Sequence, residues 1–312
     1  MKKEEKLPKV SVVIPTYNRT ATIRRAVLSV LSQDYKNLEL IVVDDASTDN
    51  TEEVLSQIND PRLTIIKHEK NMGGGRARNT GINLASGSLV AFQDSDDEWL
   101  FGKLEKQVKA FTESSDNTVL VYCTKIFYGR DSNKLSGPRR VTCVPGAKNT
   151  KLSGNLRQEL QFESNISTQS MLVSREALLR INGFDTRLRN SQDWDLVSRL
   201  SELGNFVHID EPLVNTYWQD DSISRIKENS VYSLLIIYNK MKRRGLSVKS
   251  QAKRYARLGY SMGRLGYPAR GNKLLKTAFA NKPLSLGILA RLILNLLQFQ
   301  KRRRVMKGKW IK

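Results

Sequence analysis

Short apolar runs alternate with helical patterns through the first hundred residues of this 312-residue chain. Four runs are predicted strands, at residues 10–14, 38–43, 63–66 and 88–93, and the first and last of them have the apolar character of buried strands. Helical patterns separate them, at residues 21–33, 51–58 and 73–84, and Thr20 is the expected N-cap of the first. This βαβαβαβ order predicts an α/β fold with a mostly parallel sheet and helices on both faces.

The pattern loosens after residue 111. Residues 119–122 and 170–173 are strand-like, and Gly183 ends a short helix that starts at residues 174–176. Residues 125–164 are polar and rich in glycine and proline, which predicts loops.

The positive charge of the chain is concentrated in its last part. Residues 222–312 contain 23 Lys and Arg against one acid, Glu228, which gives a net charge of +22. Residues 1–221 hold 29 basic and 30 acidic residues. We therefore expect two regions, 1–221 and 222–312.

Cysteine content and the N-terminus bear on the compartment. Two cysteines, Cys123 and Cys143, make no disulfide framework, and Met1–Lys6 lacks the apolar stretch of a signal peptide. No segment reaches the roughly 18 apolar residues of a membrane span. These features predict a cytoplasmic protein.

Three carboxylates lie in four residues at Asp94-Ser95-Asp96-Asp97, directly after the fourth strand. They repel one another, and aspartate is a weak strand former. A divalent cation such as Mg²⁺ or Mn²⁺ would relieve the repulsion, because hard cations take oxygen ligands. The alternative is a solvated acidic turn that caps the next helix.

Polar residues also follow the first two strands. Pro15 and Tyr17 follow strand one, and Asp44 and Asp45 follow strand two. Ligands bind at the carboxyl ends of parallel strands, so a bound nucleotide would meet all of these residues and the acidic tetrad. The two aspartates can instead cap a helix, and Tyr17 can be simple loop packing.

Two further segments have a possible chemical role. Gly73-Gly74-Gly75 opens a helix as a phosphate-binding loop would, although it matches no standard nucleotide motif. Arg76 and Arg78 follow it, two residues apart, so at most one can reach a phosphate. Asp193 opens a later helix, where it either complements the helix dipole or acts as a general base. The only histidines, His68 and His208, have structural settings.

Five motifs in order resemble the signature of family 2 glycosyltransferases with the GT-A fold, over roughly residues 8–220. They are VSVVIPTYN (10–18), VVDDASTD (42–49), GGRARN (74–79), FQDSDD (92–97) and QDWD (192–195). The resemblance implies a Rossmann-like GT-A catalytic domain over 1–221, with its nucleotide-binding part at about 8–115 and its acceptor part at about 116–221. A basic helical region, 222–312, follows it.

The resemblance also assigns roles to individual residues. It implies a nucleotide site of Pro15, Tyr17, Asp44, Asp45, Arg76 and Asp94, with Arg78 and Asn79 as alternatives to Arg76 at the diphosphate. Asp94 and Asp96 match the DxD pair, and Mn²⁺ or Mg²⁺ would be held by Asp96, with Asp97 second. Asp193 matches the catalytic base, with Gln192 where the family usually has glutamate.

The implied reaction is inverting transfer of one sugar from a nucleoside-diphosphate sugar, UDP by family frequency, to a hydroxyl of a cell-envelope glycan or lipid-linked acceptor. The Gln-x-x-Arg-Trp motif of processive synthases does not occur. Two other classes are a nucleotidyltransferase, which would carry glycine after strand one, and a non-catalytic membrane- or nucleic-acid-binding protein.

The basic region reads as helical from about residue 230. Leu284–Phe299 is apolar on one side and precedes Lys301–Arg304. This pattern suits a helix on an anionic membrane surface, which would place the protein at the inner face of the cell membrane. The alternative is a solvated helical appendage on the catalytic domain. No nucleic-acid motif is present, so nucleic acid is not an expected partner.

Overall fold

The computed structural model describes residues 7–129, 140–145, 151–161, 164–218, 227–245, 248–283 and 285–294. The chain divides into two compact units. The first consists of Met1–Thr186 and Gln192–Asp220, and the second of Arg187–Ser191 and Asp221–Lys312.

The first half of the larger unit is the predicted parallel sheet. Its strands are β1 (Val10–Thr16), β2 (Leu38–Asp44), β3 (Leu63–Lys67) and β4 (Leu89–Phe92). They lie in the order β3-β2-β1-β4 and all pair in parallel. The connecting helices are α1 (Ile23–Leu31), α2 (Thr51–Ser56) and α3 (Gly74–Leu84). The predicted βαβαβαβ order is therefore confirmed.

The second half extends the sheet in mixed directions. Its elements are β5 (Glu98–Trp99), α4 (Lys103–Thr112), β6 (Thr118–Gly129), β7 (Arg140–Val144), β8 (Met171–Ser174), α5 (Arg175–Arg180), α6 (Gln192–Leu200) and β9 (Asn205–Tyr217). From β4 the order continues β8-β6-β9-β5, with β7 also paired to β6. Strand β8 is antiparallel to β4 and β6, whereas β9 is parallel to β6. The complete sheet is thus mixed, and its mostly parallel part is the first half.

Two sequence-based predictions of secondary structure were wrong. Helix α1 begins at Ile23, so its N-cap position is Thr22 rather than Thr20, whose N–H donates to Asp49 Oδ2 (3.2 Å). Residues 125–164 are not all loop, because β6 continues to Gly129 and pairs with β7. The polar composition of this stretch conceals strands that are stabilised by distant partners.

A continuous core lies between one face of the sheet and helices α1 and α4. Every residue of β1 is buried, and α1 contributes the predicted stripe of Ile23, Ala26, Val27 and Val30. Burying such side chains contributes about 1.5–3 kcal/mol each. This packing fixes the positions of the carboxyl ends of β1, β2 and β4.

The second unit is helical, as predicted. It contains α7 (Lys227–Arg243), α8 (Val248–Arg264), α9 (Pro268–Asn281) and a helical segment at 286–294. A small core joins the last three, made of Ala252, Ala256, Leu275, Ala278 and Ile288. Among the described residues, no helix has the length and hydropathy needed to cross a bilayer.

Candidate active site at the carboxyl ends of the strands

Three neighbouring strands end at one edge of the sheet. Thr16 of β1 lies level with Asp44 of β2, and Val13 of β1 lies level with Phe92 of β4. Gln93 and the acidic tetrad follow immediately after β4. The predicted convergence of polar residues at this edge is therefore present, and it depends on the parallel pairing of three strands.

Asp97 anchors the acidic tetrad. Its N–H donates to the Asp94 carbonyl (3.2 Å), which closes a turn, and its side chain is buried. Gln169 Nε2 donates to Asp97 Oδ2 (2.7 Å), and the Tyr217 N–H donates to Oδ1 (3.1 Å). Burial, followed by repulsion from Asp94 and Asp96, raises the pKa of Asp97 well above its usual range.

Arg78 joins the tetrad to α6. Its Nη2 donates to Asp94 Oδ1 (2.7 Å), and its Nη1 donates to Gln192 Oε1 (3.1 Å). Arg76 is exposed on the first turn of the same helix. Asn79 exchanges two hydrogen bonds with the backbone of Phe184 (2.9 and 2.8 Å), so its side chain is used to hold that loop. Arg76, Arg78 and Asn79 were the three residues predicted to face the diphosphate. Of these, Arg78 contacts the tetrad.

A second arginine, which the sequence analysis missed, holds the tetrad from the other side. Arg25 of α1 donates from Nη2 to the Asp96 carbonyl (2.5 Å), and its guanidinium lies 4.2 Å from the ring centroid of Tyr217. Its position in α1, among residues of ordinary helical pattern, gives no sequence signal for this contact.

Asp193 lies in the first turn of α6, and Oδ1 accepts the Trp194 N–H (2.8 Å). Desolvation raises the pKa of Asp193 above its usual value. The nearby charges of Lys125 and Arg78 oppose this rise, whereas that of Asp94 adds to it. Asp193 is therefore close enough to the tetrad to share its electrostatic field, and Lys125 of β6 is a neighbouring cation that the sequence did not reveal.

The two aspartates after β2 differ in their contacts. Asp45 Oδ2 accepts the Gly73 N–H (2.6 Å), and Oδ1 accepts the Met72 N–H (2.9 Å) and contacts His68 Nδ1 (2.7 Å). Asp44 Oδ1 accepts the Ser47 N–H (3.0 Å). Within the described part of the chain, Asp44 Oδ2 has no hydrogen-bond partner although it is buried. The nucleotide role predicted for both residues stays a prediction.

Residues at the end of β1 complete this edge. Pro15 is buried within the strand, and Tyr17 beyond it is 42% exposed, so its ring is available for stacking. Buried polar atoms accompany them: Thr16 Oγ1 and both amide atoms of Gln93 have no partner among the described residues. Unpaired buried polar atoms cost free energy unless water or a ligand satisfies them.

The side chains at this edge offer few ligands for a metal ion. No group of three or more His, Cys, Asp or Glu side chains in the described ranges is arranged to hold one. Mg²⁺ and similar ions often bind through one or two carboxylates together with substrate phosphates. Asp96 is half-buried beside Asp97, whose pKa is raised by burial and then by repulsion from Asp94 and Asp96, and it fits such a shared site.

Sequence comparison gives a family-level match. The family model described as "Glycosyl transferase family 2" matches residues 11–180, more than half of the chain. One relative is the Escherichia coli protein WfgD, named a UDP-Glc:alpha-D-GlcNAc-diphosphoundecaprenol beta-1,3-glucosyltransferase. It is 37% identical over 135 residues, which cover 43% of this chain and 53% of the relative. The chain thus spans about half the length of this relative.

Two solved structures share the fold. S. aureus TarS in complex with UDP-GlcNAc has a TM-score of 0.66 at 17% identity, covering 95% of this chain and 92% of that one. The mannosyltransferase PcManGT from Pyrobaculum calidifontis, in complex with GDP-Man and Mn²⁺, has a TM-score of 0.61 at 20% identity, covering 97% and 84%. The predicted GT-A fold is confirmed.

The different settings of the two α3 arginines predict different effects on stability. Arg78→Gln leaves Asp94 unpaired beside two other carboxylates, so we expect it to lower the free energy of unfolding by about 1–3 kcal/mol. Arg76→Gln, on the exposed side, should change it by less than about 0.5 kcal/mol. Urea unfolding without ligands measures both, and equal losses would show that the Arg78 contacts contribute nothing.

Proposed function

The chain belongs to glycosyl transferase family 2, and we propose that it transfers a single sugar from a nucleoside-diphosphate sugar to a hydroxyl of a cell-envelope glycan or lipid-linked acceptor. The observation that carries this proposal is the bridge that Arg78 forms between the DxD pair and the residue before Asp193. It brings a candidate metal ligand and a candidate base to the same edge of the sheet.

The donor is proposed to be a UDP-sugar. WfgD is named for UDP-Glc, and TarS was solved with UDP-GlcNAc, which supports uracil; PcManGT was solved with GDP-Man. Pro15 and Tyr17 would line the base, and Asp44 and Asp45 would recognise the nucleoside. Arg76, whose side chain is exposed, would face the diphosphate, and Asp94 would complete the nucleotide site.

The residues divide the chemistry between them. Asp193 accepts the proton of the acceptor hydroxyl, whose oxygen attacks the anomeric carbon as the bond to the diphosphate oxygen breaks. Asp96, with Asp97 behind it, would hold a divalent cation, which supplies positive charge to the leaving nucleoside diphosphate when bound. Arg25 and Arg78 hold the tetrad in position for this role. Attack from the side opposite the leaving group inverts the anomeric centre.

The metal proposal predicts linked binding of UDP and Mn²⁺. Mn²⁺ should strengthen UDP binding by about tenfold or more in the wild type, because the diphosphate and Asp96 share the ion. Asp96→Asn should abolish this gain, whereas Asp116→Asn, on an exposed turn, should retain it. Calorimetric titration with Mn²⁺ and with EDTA measures the difference. Identical UDP affinity in both conditions would refute the metal role.

The base proposal predicts a loss of turnover and a specific pH dependence. Asp193→Asn should lower kcat by about 10²–10⁴-fold, with a much smaller change in UDP affinity. Because only the carboxylate accepts a proton and burial raises the pKa of Asp193, kcat should rise with pH through a pKa above the usual value of an aspartate and then level off. Gln192→Glu, which restores the usual family residue, serves as the active control. Full turnover in Asp193→Asn would exclude it as the base.

We also propose that the second unit binds an anionic membrane surface at the inner face of the cell membrane. In the segment 286–294, Ile288 and Leu292 pack on the core of that unit, whereas Leu286, Leu289 and Ile293 are exposed (81%, 37% and 49%). The spacing of these three places them on one stripe of the helix. The surrounding region carries nearly the entire net positive charge of the chain.

Vesicle sedimentation tests this surface. Changing Leu286, Leu289 and Ile293 to Ser should weaken binding to phosphatidylcholine vesicles that contain phosphatidylglycerol by about tenfold or more. Salt should weaken wild-type binding as well, because the attraction is partly electrostatic. Changing Leu28, Leu84 and Leu179, equally exposed leucines of the first unit, to Ser is the matched control. Equal binding of both triple variants would exclude the stripe.

A further inference from the structure

Four aromatic rings lie where β6 and β9 end beside the tetrad. The strands pair in register, with Phe127 level with Thr216 and Tyr128 level with Tyr217. The rings of Tyr128 and Tyr217 stack (centroids 5.4 Å apart, interplanar angle 14°). Those of Phe127 and Trp218 meet edge to face (6.3 Å, 69°).

The first pair is explained by the framework of the site. The Tyr217 N–H holds Asp97, its hydroxyl donates to Glu98 Oε2 (2.9 Å), and Arg25 covers its ring. Tyr128 stacks on the same ring. These contacts position the tetrad. The Tyr217 ring itself contacts both a guanidinium and a second aromatic ring.

The second pair lies closer to the surface. Trp218 follows directly after the residue that holds Asp97, yet it is 36% exposed, and Phe127 is only half-buried. Because side chains alternate along a strand, Phe127 lies on the same side of β6 as Lys125. The positive charge of Lys125 acts on both Asp97 and Asp193. An accessible aromatic pair therefore lies on the same side of β6 as a cation whose charge acts on the proposed base.

We propose that Phe127, Trp218 and Lys125 form the acceptor subsite, in which the two rings pack against a pyranose carried on a diphosphate and Lys125 binds a phosphate of that diphosphate. The inference rests on the proposed function and deepens it. It places the acceptor on a surface that includes Lys125, a residue that also lies at the catalytic edge of the sheet.

The chemistry of each group matches this ligand. One face of a pyranose presents C–H groups, which pack favourably on the flat apolar surface of tryptophan, while its hydroxyls stay directed to polar neighbours. A lysine ammonium is a compact point charge that suits a phosphate. In the proposed arrangement the acceptor hydroxyl would be directed to Asp193, whose carboxylate would accept the proton.

Binding to the complex with UDP and Mn²⁺ tests the subsite without knowledge of the donor sugar. The probes are N-acetylglucosamine diphosphate with a short alkyl chain and the matching alkyl glycoside without phosphate. Trp218→Ala should weaken both probes at least about tenfold more than it weakens UDP, and Trp218→Phe should restore part of the loss. Lys125→Gln should weaken the diphosphate probe selectively. Phe101→Ala removes an aromatic ring that is 75% exposed elsewhere in the unit and is the matched control.

Each result bears on a separate claim. Probe affinities of Trp218→Ala equal to those of Phe101→Ala would overturn the aromatic subsite. Equal weakening of both probes by Lys125→Gln would overturn the phosphate assignment. Wild-type protein that binds UDP but not the diphosphate probe would overturn the acceptor class. Protein that fails to bind UDP with Mn²⁺ would overturn the proposed UDP-sugar donor, and failure to bind any nucleoside diphosphate would overturn the proposed function itself.

Discussion

The buried carboxylate of Asp97 connects the two halves of the sheet at the point where the chemistry is proposed to occur. It directly follows the turn after β4, and its partners come from residue 169 and from the end of β9. A carboxylate removed from water is costly unless hydrogen bonds replace its hydration. Gln169 and Tyr217 provide those bonds, so the correct fold of the second half is a condition for holding the tetrad. The family signature therefore depends on residues that lie far outside its motifs.

Each aspartate of the tetrad is held by a different neighbouring group. Asp94 is paired with Arg78, the Asp96 carbonyl is held by Arg25, and Asp97 is hydrogen-bonded by neutral groups. The metal role predicted for Asp96 stays a prediction. The repulsion that raises the pKa of Asp97 is the same repulsion that a bound cation would relieve.

Local pattern predicted the first half of the fold because β1, β2 and β4 are apolar runs whose residues are nearly all buried. It missed the end of β6 and all of β7, because the polar residues there pair with each other and, in β6, with the distant strand β9. Motifs located Asp96 and Asp193 at one edge, but spacing alone could not choose between Arg76 and Arg78. Arg25 and Lys125 carried no signal, since an arginine in an amphipathic helix and a lysine in a strand are ordinary until the topology places them beside the tetrad.

The contacts of Asp45 show that this residue also holds the loop that leads into α3. Its two oxygens accept the N–H groups of Met72 and Gly73, and His68 joins the same carboxylate to Thr80 of α3 (3.0 Å). These bonds fix the loop that enters α3 at Gly73, whose φ of +87° suits glycine. The position of that entry sets the register of α3 and so determines that Arg78 reaches the tetrad while Arg76 faces outward. An aspartate after β2 thereby acts on the acidic tetrad through the helix that it anchors.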